Sequence, residues 1–397
     1  MPIEISQVLH DFAIIMIISG FMAVISIKLK QPMVIGYILA GMAISPYTSP
    51  FNLVLNIDVL NLFAEIGIVL LLLVVGMEFP IEKLKKIGKK AFIIALSEAL
   101  VTFAIGYLFS HYILSFSFYD SLFVSLAISI TSSVLVMRVL EDLGVIREET
   151  STLILGVCVI EDIITISFLA VLQSVASTNS FSMLKVGTSI VVVLGFIIGA
   201  LLIGSKIVPK IINYVGRLNK PDVLIVCILG VVFGLSYVAF EIGISIATGA
   251  FFAGVLIAES KVQVVSKVMA TPIRDMFSAL FFVSVGALMN ITLIPSFIAF
   301  AILFIMLSIL GKFVSVYLSS RSQGFGKKVS FRAGFSLLSS GGELALVTAR
   351  AGESIGVTSP FLLPMIGTMT IITTFLSPYI IKTGWKFRVE KPEKKQF

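Results

Sequence analysis

Runs of about 18–25 apolar residues, separated by short polar connections, recur from one end of this 397-residue chain to the other. Each is long enough to cross the ~30 Å hydrocarbon core of a bilayer as a helix. In hydrocarbon every backbone N–H and C=O must be satisfied within its own segment, so such runs have few alternatives to helix. Hydrophobic residues make up 58% of the chain and charged residues 13%, against about 25% charged in soluble domains. No soluble core of this size could bury so much apolar surface. The chain reads as an all-α polytopic membrane protein.

The apolar runs predict thirteen transmembrane helices, near 6–27, 32–45, 58–76, 91–113, 120–139, 150–173, 186–206, 222–239, 244–259, 276–290, 294–318, 330–350 and 359–382. The first is too long for a cleavable signal peptide and is read as part of the mature protein. Cys158 and Cys227 both fall inside predicted spans, which argues against a disulfide framework, and no zinc-ligand spacing is present.

Alternate connections carry the basic residues. Of the 29 in the chain, all but Lys185, Lys312, Arg332 and Arg350 lie in every second loop or in the tail. The positive-inside rule therefore places the N-terminus outside and the C-terminus in the cytoplasm of a cell-membrane protein. The net charge of +7 is then a topology signal and a headgroup contact rather than a nucleic-acid surface.

Two glycine frames repeat. "GYILAG" (Gly36–Gly41) in the second span matches "GAFFAG" (Gly249–Gly254) in the ninth, and Gly76 in "LLLVVGMEF" matches Gly286 in "FFVSVGALM". Small residues at such spacing also serve close helix packing, which is the plainer reading of either frame alone. Seven spans separate the matched pairs, an odd number, so the second copy is predicted to cross the membrane the other way up. A six-helix inverted-topology repeat follows: residues 1–175, a linker helix at 186–206 and residues 222–382, with 383–397 as a short basic tail. Such repeats characterise secondary transporters that work by alternating access.

In transporters of this kind the site lies where corresponding helices are interrupted. The fifth span contains Ser129, Thr131, Ser132 and Ser133, and the twelfth contains Ser339, Ser340, Gly341, Gly342 and Glu343. Adjacent glycines weaken a helix by about 2 kcal/mol together, and hydroxyls can satisfy the freed backbone. Both helices are predicted to unwind and cross there; simple packing of Ser and Thr between helices is the alternative. Glu161 and Asp162 stand near the middle of the sixth span, and Lys312 stands within the eleventh. Snorkelling is the alternative for the lysine. With all three ionised one negative charge is left over, so one acid needs a proton or a cation. Burial and an acidic neighbour favour the protonated form of a carboxylate, which lets H⁺ and a hard cation compete for it. Alternate exposure of such a carboxylate is antiport. Oxygen ligands suit an alkali ion better than a soft metal.

Together, "QPMVIGYILAG", "FAEIGIVLLLLVVGMEF", "ISITSSVLVMRVLEDLG", "VIEDI", "GISIATGAFFAGVLIAES" and "SSGGELALV" resemble the monovalent cation–proton antiporter family two, the group of the Kef-type exchangers and NapA. The resemblance covers nearly the whole chain. It implies a NapA-like antiporter fold, a homodimer, and a dimerisation domain beside an elevator-like core that includes helices near 120–173 and 294–350. By position it makes Asp162 the acid that binds ion and proton and Lys312 the partner of the preceding residue, here Glu161. Glu161, Asp162 and Thr131 are the candidate Na⁺ ligands, and Glu343 is a candidate for the cytoplasmic funnel. Glu161 departs from the family's Asp, Asn or Gln, and this leaves electroneutral and electrogenic exchange both open. Many Kef-type relatives add a nucleotide-sensing domain after the last helix; none is expected here, which leaves room for a separate regulatory subunit.

The expected function is Na⁺(Li⁺)/H⁺ exchange in salt and pH homeostasis, without a cofactor. Kef-type K⁺/H⁺ antiport or K⁺ efflux is the alternative. An intramembrane aspartic protease is remote, because adjacent acids on one helix point about 100° apart.

Overall fold

The computed structural model describes residues 5–29, 31–47, 53, 57–77, 81–145, 148–176, 183–242, 244, 246–338 and 341–386. Apart from one bridge residue, Thr131, the regular elements among them are helices. They are α1 (Ile5–Lys28), α2 (Met33–Ile44), α3 (Ile57–Met77), α4 (Ile81–Leu108), α5 (Phe118–Ser129), α6 (Ser133–Asp142), α7 (Glu149–Ala176) and α8 (Met183–Gly199). There follow α9 (Ser205–Gly216), α10 (Pro221–Glu241), α11 (Ile246–Ala258), α12 (Gln263–Leu288), α13 (Ile294–Ser322), α14 (Lys327–Ser336), α15 (Glu343–Ile355) and α16 (Leu362–Lys386).

Nine of the described helical segments are long and apolar enough to cross a membrane, and α2, α5 and α11 are shorter apolar helices. Two of the thirteen predicted runs, 120–139 and 330–350, each hold two short helices rather than one: α5 with α6, and α14 with α15. Other boundaries also move. The run expected at 276–290 begins earlier, at Gln263, because a helix continues through polar residues that a hydropathy window rejects. The run expected at 186–206 continues as α8, a π turn over Ala200–Gly204, and α9 as far as Gly216. Pro209 lies inside α9. It has no N–H to donate and its ring crowds the preceding turn, a local stress that a widened turn upstream can absorb.

The helices differ in what they face. The most apolar stretch of α3 is 72% buried, whereas that of α1 is 17% buried and so lies on the outside of the bundle. α3 packs between α11 and α12, and α12 also lies along α2. Lipid tails are as apolar as leucine, so close van der Waals packing rather than a hydrophobic drive must hold these helices together. Glycine supplies it. A Cβ on Gly41 would collide with the Val283 carbonyl and approach Gly286, and one on Gly254 would collide with the Leu73 carbonyl and approach Gly76.

A second set of helices surrounds α7. There α4 packs on α5, α7 and α13; α14 on α13 and α16; and α15 on α5, α7 and α16. These helices carry the interrupted segments.

Candidate functional site

α5 ends at Ser129 because Ile130 turns to extended backbone (φ −83°, ψ 136°). Helix resumes as α6 at Ser133. On the other side Gly341 and Gly342 adopt φ of +98° and +89° before α15 starts at Glu343. Only glycine enters that region at low cost. The two interruptions meet: the Gly341 N–H donates to the Ile130 carbonyl at 3.1 Å. Ser339 and Ser340 lie outside the described residues, as does the Glu343 side chain.

Asp162 sits at mid-length of α7 and is 1% exposed. The Ser133 hydroxyl donates to its Oδ2 at 3.0 Å. Asp162 and Ser133 line a cavity of about 10 Å³ with Thr131, Ser132, Gly341, Ile130, Val75 and Leu344. That volume is on the scale of a single water-sized particle. Its polar lining is therefore one carboxylate, hydroxyls and the exposed backbone of both interruptions, a set of hard oxygen donors.

Glu161 is equally buried and lies within electrostatic reach of Glu98 and Lys312. The lysine's ion pair, however, is with Glu98 of α4 rather than with Glu161. Lys312 Nζ stands 3.0 Å from Glu98 Oε1, with both side chains fully buried. It also donates to the Ser129 carbonyl at 3.1 Å and to Thr131 Oγ1 at 2.8 Å. An ammonium has three donors, and these three acceptors match them. Snorkelling is thereby excluded, since no part of Lys312 reaches water. The side-chain oxygen of Thr131 already accepts from Lys312, so that oxygen is less available to a cation than its sequence position suggested.

Glu98 is the residue that sequence reasoning left without a role. A complete charge count would have raised it: the buried spans hold three acids around one lysine, not two. Gly311, next to Lys312, faces Thr102 and Ile105 of α4 and keeps the two helices close at this level. Cys158, fully buried one turn before Asp162, belongs to the same neighbourhood.

A larger cavity of about 510 Å³ opens between α3, α7, α11 and α15, toward the end of α7 remote from the basic loops. Its polar lining includes Glu65, Gln173, Ser174, Arg350 and Ser354. Arg350 on α15 donates to Glu353 on its own helix and to Asn61 Oδ1 on α3, each at 2.5 Å.

Residues 13–386 match the model of the sodium/hydrogen exchanger, transmembrane family. The chain is 29% identical over 375 residues to the Na⁺/H⁺-K⁺ antiporter GerN of Bacillus cereus, covering 94% of this chain and 95% of that one. It is 26% identical to the K⁺/H⁺ antiporter subunit KhtU of Bacillus subtilis, covering 96% and 97%. The high-affinity Na⁺/H⁺ antiporter NhaS3 of Synechocystis is also 26% identical, covering 92% and 80%. Among solved structures, the sodium proton antiporter MjNhaP1 of Methanocaldococcus jannaschii shares the fold at a TM-score of 0.73 and 18% identity, over 97% of this chain and 99% of that one. These relatives are transporters, which removes the protease alternative. The chain belongs to the sodium/hydrogen exchanger family.

Proposed function

We propose that this protein is a secondary Na⁺(Li⁺)/H⁺ antiporter in which Asp162 alternately holds a cation and a proton. The observation that carries the reading is Asp162 itself, buried at mid-length of α7 and facing the interruption between α5 and α6 through Ser133. Glu161 is the neighbouring acid that helps balance charge. Thr131, Ser132 and Ser133, with Gly341 and Gly342, form the crossing of the broken helices; the sequence assigns Ser339 and Ser340 to the same interruption and Glu343 to the cytoplasmic funnel.

Thirteen spans and a six-helix inverted repeat remain part of this reading, and glycine packing supports them. The equivalent glycines are Gly41 with Gly254 and Gly76 with Gly286. Gly41 packs against Gly286, and Gly254 against Gly76. Exchanging each glycine for its counterpart reproduces the same pair of contacts, as a pseudo-twofold axis requires. We assign the glycine-packed helices to a dimerisation scaffold in a homodimer and the helices around α7 to an elevator-like core. The N-terminus faces outside and the C-terminus the cytoplasm. Within the family we place the chain with the Kef-type and NapA-like members, because an intramembrane lysine stands at Lys312.

The test is proton efflux from acidified everted vesicles, with Na⁺, Li⁺ and K⁺ added in turn across neutral and alkaline pH. Responses to Na⁺ and Li⁺, abolished by Asp162→Asn in a normally folded protein, are the expected result. Exchange that survives Asp162→Asn would sink the site. A response to K⁺ alone would favour the second reading, K⁺/H⁺ exchange, which the names of GerN and KhtU keep in view.

A further inference from the structure

We propose that Glu98 is a positioning residue for cation exchange. It holds Lys312 at the end of α5 and cancels the lysine's charge, so that the cation meets the acids of α7 without an uncompensated positive neighbour. The inference rests on the reading of Asp162 given above.

The geometry carries it. Glu98 and Lys312 form an ion pair at 3.0 Å with no exposure on either side chain. The Thr102 hydroxyl reaches the same Glu98 Oε1 at 3.4 Å. The other two lysine donors go to Ser129, the last residue of α5, and to Thr131 in the interruption itself. The carbonyl end of a helix carries unsatisfied acceptors and partial negative charge, which an ammonium complements. Lys312 therefore tethers one lip of the broken helix, and Glu98 decides where the tether sits.

Glu161 is the second acid within reach of Lys312, yet Glu98 takes the close contact. The pair also joins α4 to α13, and α4 packs on α5, α7 and α13. Every partner of Lys312 thus belongs to the set of helices and interrupted segments gathered around α7, although α4 itself does not line the cavity beside Asp162. Motion of those helices as a unit leaves the pair intact.

A merely structural ion pair would give a different pattern on mutation. Glu98→Gln leaves an uncompensated positive charge near the cation. Lys312→Gln leaves an uncompensated negative one. The two substitutions should therefore move the half-saturating Na⁺ concentration in opposite directions, whereas loss of structure moves both the same way. Removing one partner of a buried pair is damaging, but removing both is often tolerated, so the double variant should behave better than Glu98→Gln.

The experiment reconstitutes wild type, both single variants and the double variant in proteoliposomes and measures Na⁺-driven proton movement. For Glu98→Gln we expect half-saturating Na⁺ to rise about tenfold or more, the scale of a unit charge in a medium of effective dielectric constant near 20. Maximal rate should change far less. Lys312→Gln should lower half-saturating Na⁺, and the double variant should return it close to the wild-type value. A parallel rise in both single variants, or a double variant no better than Glu98→Gln, overturns the proposal. If Glu98→Gln does not fold, the double variant still decides: near-wild-type Na⁺ dependence supports the proposal and a tenfold rise ends it. Asp162→Asn, run alongside, reports separately on the site reading, since exchange retained there removes that reading whatever the Glu98 variants do.

Discussion

At the scale of single residues, the site separates two oxygen environments that lie side by side. Asp162 faces the small cavity and accepts from Ser133, whereas Lys312 satisfies itself on Glu98, Ser129 and Thr131. Hydrogen bonds to charged groups contribute roughly 1.5–3 kcal/mol. Ser133 also lines the cavity with its oxygen, so Ser133→Ala removes a cation ligand and should weaken the hold on the cation by about tenfold while leaving the fold in place. The half-saturating Na⁺ concentration measures this. An unchanged value would mean that Ser133 does not contact the ion. Position along the chain revealed Asp162, Glu161 and Lys312 because charge inside an apolar run is conspicuous. It did not reveal that Glu98 takes the lysine, since that choice depends on the distance between α4 and α13.

At the scale of elements, the interruptions and the glycine contacts have separate energetic origins. Gly342 combines φ +89° with a Cβ position that would press on Ser132. Backbone at φ +89° and ψ −167° is open essentially to glycine alone and costs a side chain about 1–3 kcal/mol, and overpacking adds about 1–3 kcal/mol. Gly342→Ala should lower the thermal stability of detergent-solubilised protein by several degrees and slow exchange. Gly195 in α8 is the contrast, since a Cβ there meets no neighbour within 4 Å. Gly195→Ala should be neutral or stabilising, by about 0.5–1 kcal/mol. Equal losses at the two positions would mean that the special backbone conformation and the Ser132 contact at Gly342 do not set the effect. The double glycine was legible as a break because its intrinsic preference is local. The break in the fifth span was legible from its hydroxyls at 129 and 131–133, but not that Ile130 is the residue that turns extended, since an isoleucine within an apolar run carries no such signal.

For the whole molecule, the Arg350–Asn61 hydrogen bond ties α15, among the helices that surround α7, to α3 of the glycine-packed set, beside the larger cavity. If the two sets move past each other during transport, this contact must open. A covalent cross-link between cysteines at positions 61 and 350, bridged by a reducible bifunctional reagent, should therefore arrest exchange, and reduction should restore it. The native Cys158 is buried, and Cys227→Ser removes the other thiol. Full activity in the cross-linked protein would mean that α3 and α15 keep their relation throughout the cycle.

Membrane span, the sides on which basic loops gather, and the presence of ionisable groups in hydrocarbon were all readable in chain order, because each depends on a few neighbouring residues and on the bilayer. The all-helical class and the candidate acids followed from those properties alone. Which glycine meets which, where two broken helices touch, and which of three acids pairs with Lys312 are relations between residues far apart in the chain. Only tertiary packing sets those distances, and a buried charge takes the partner that packing brings within 3.0 Å.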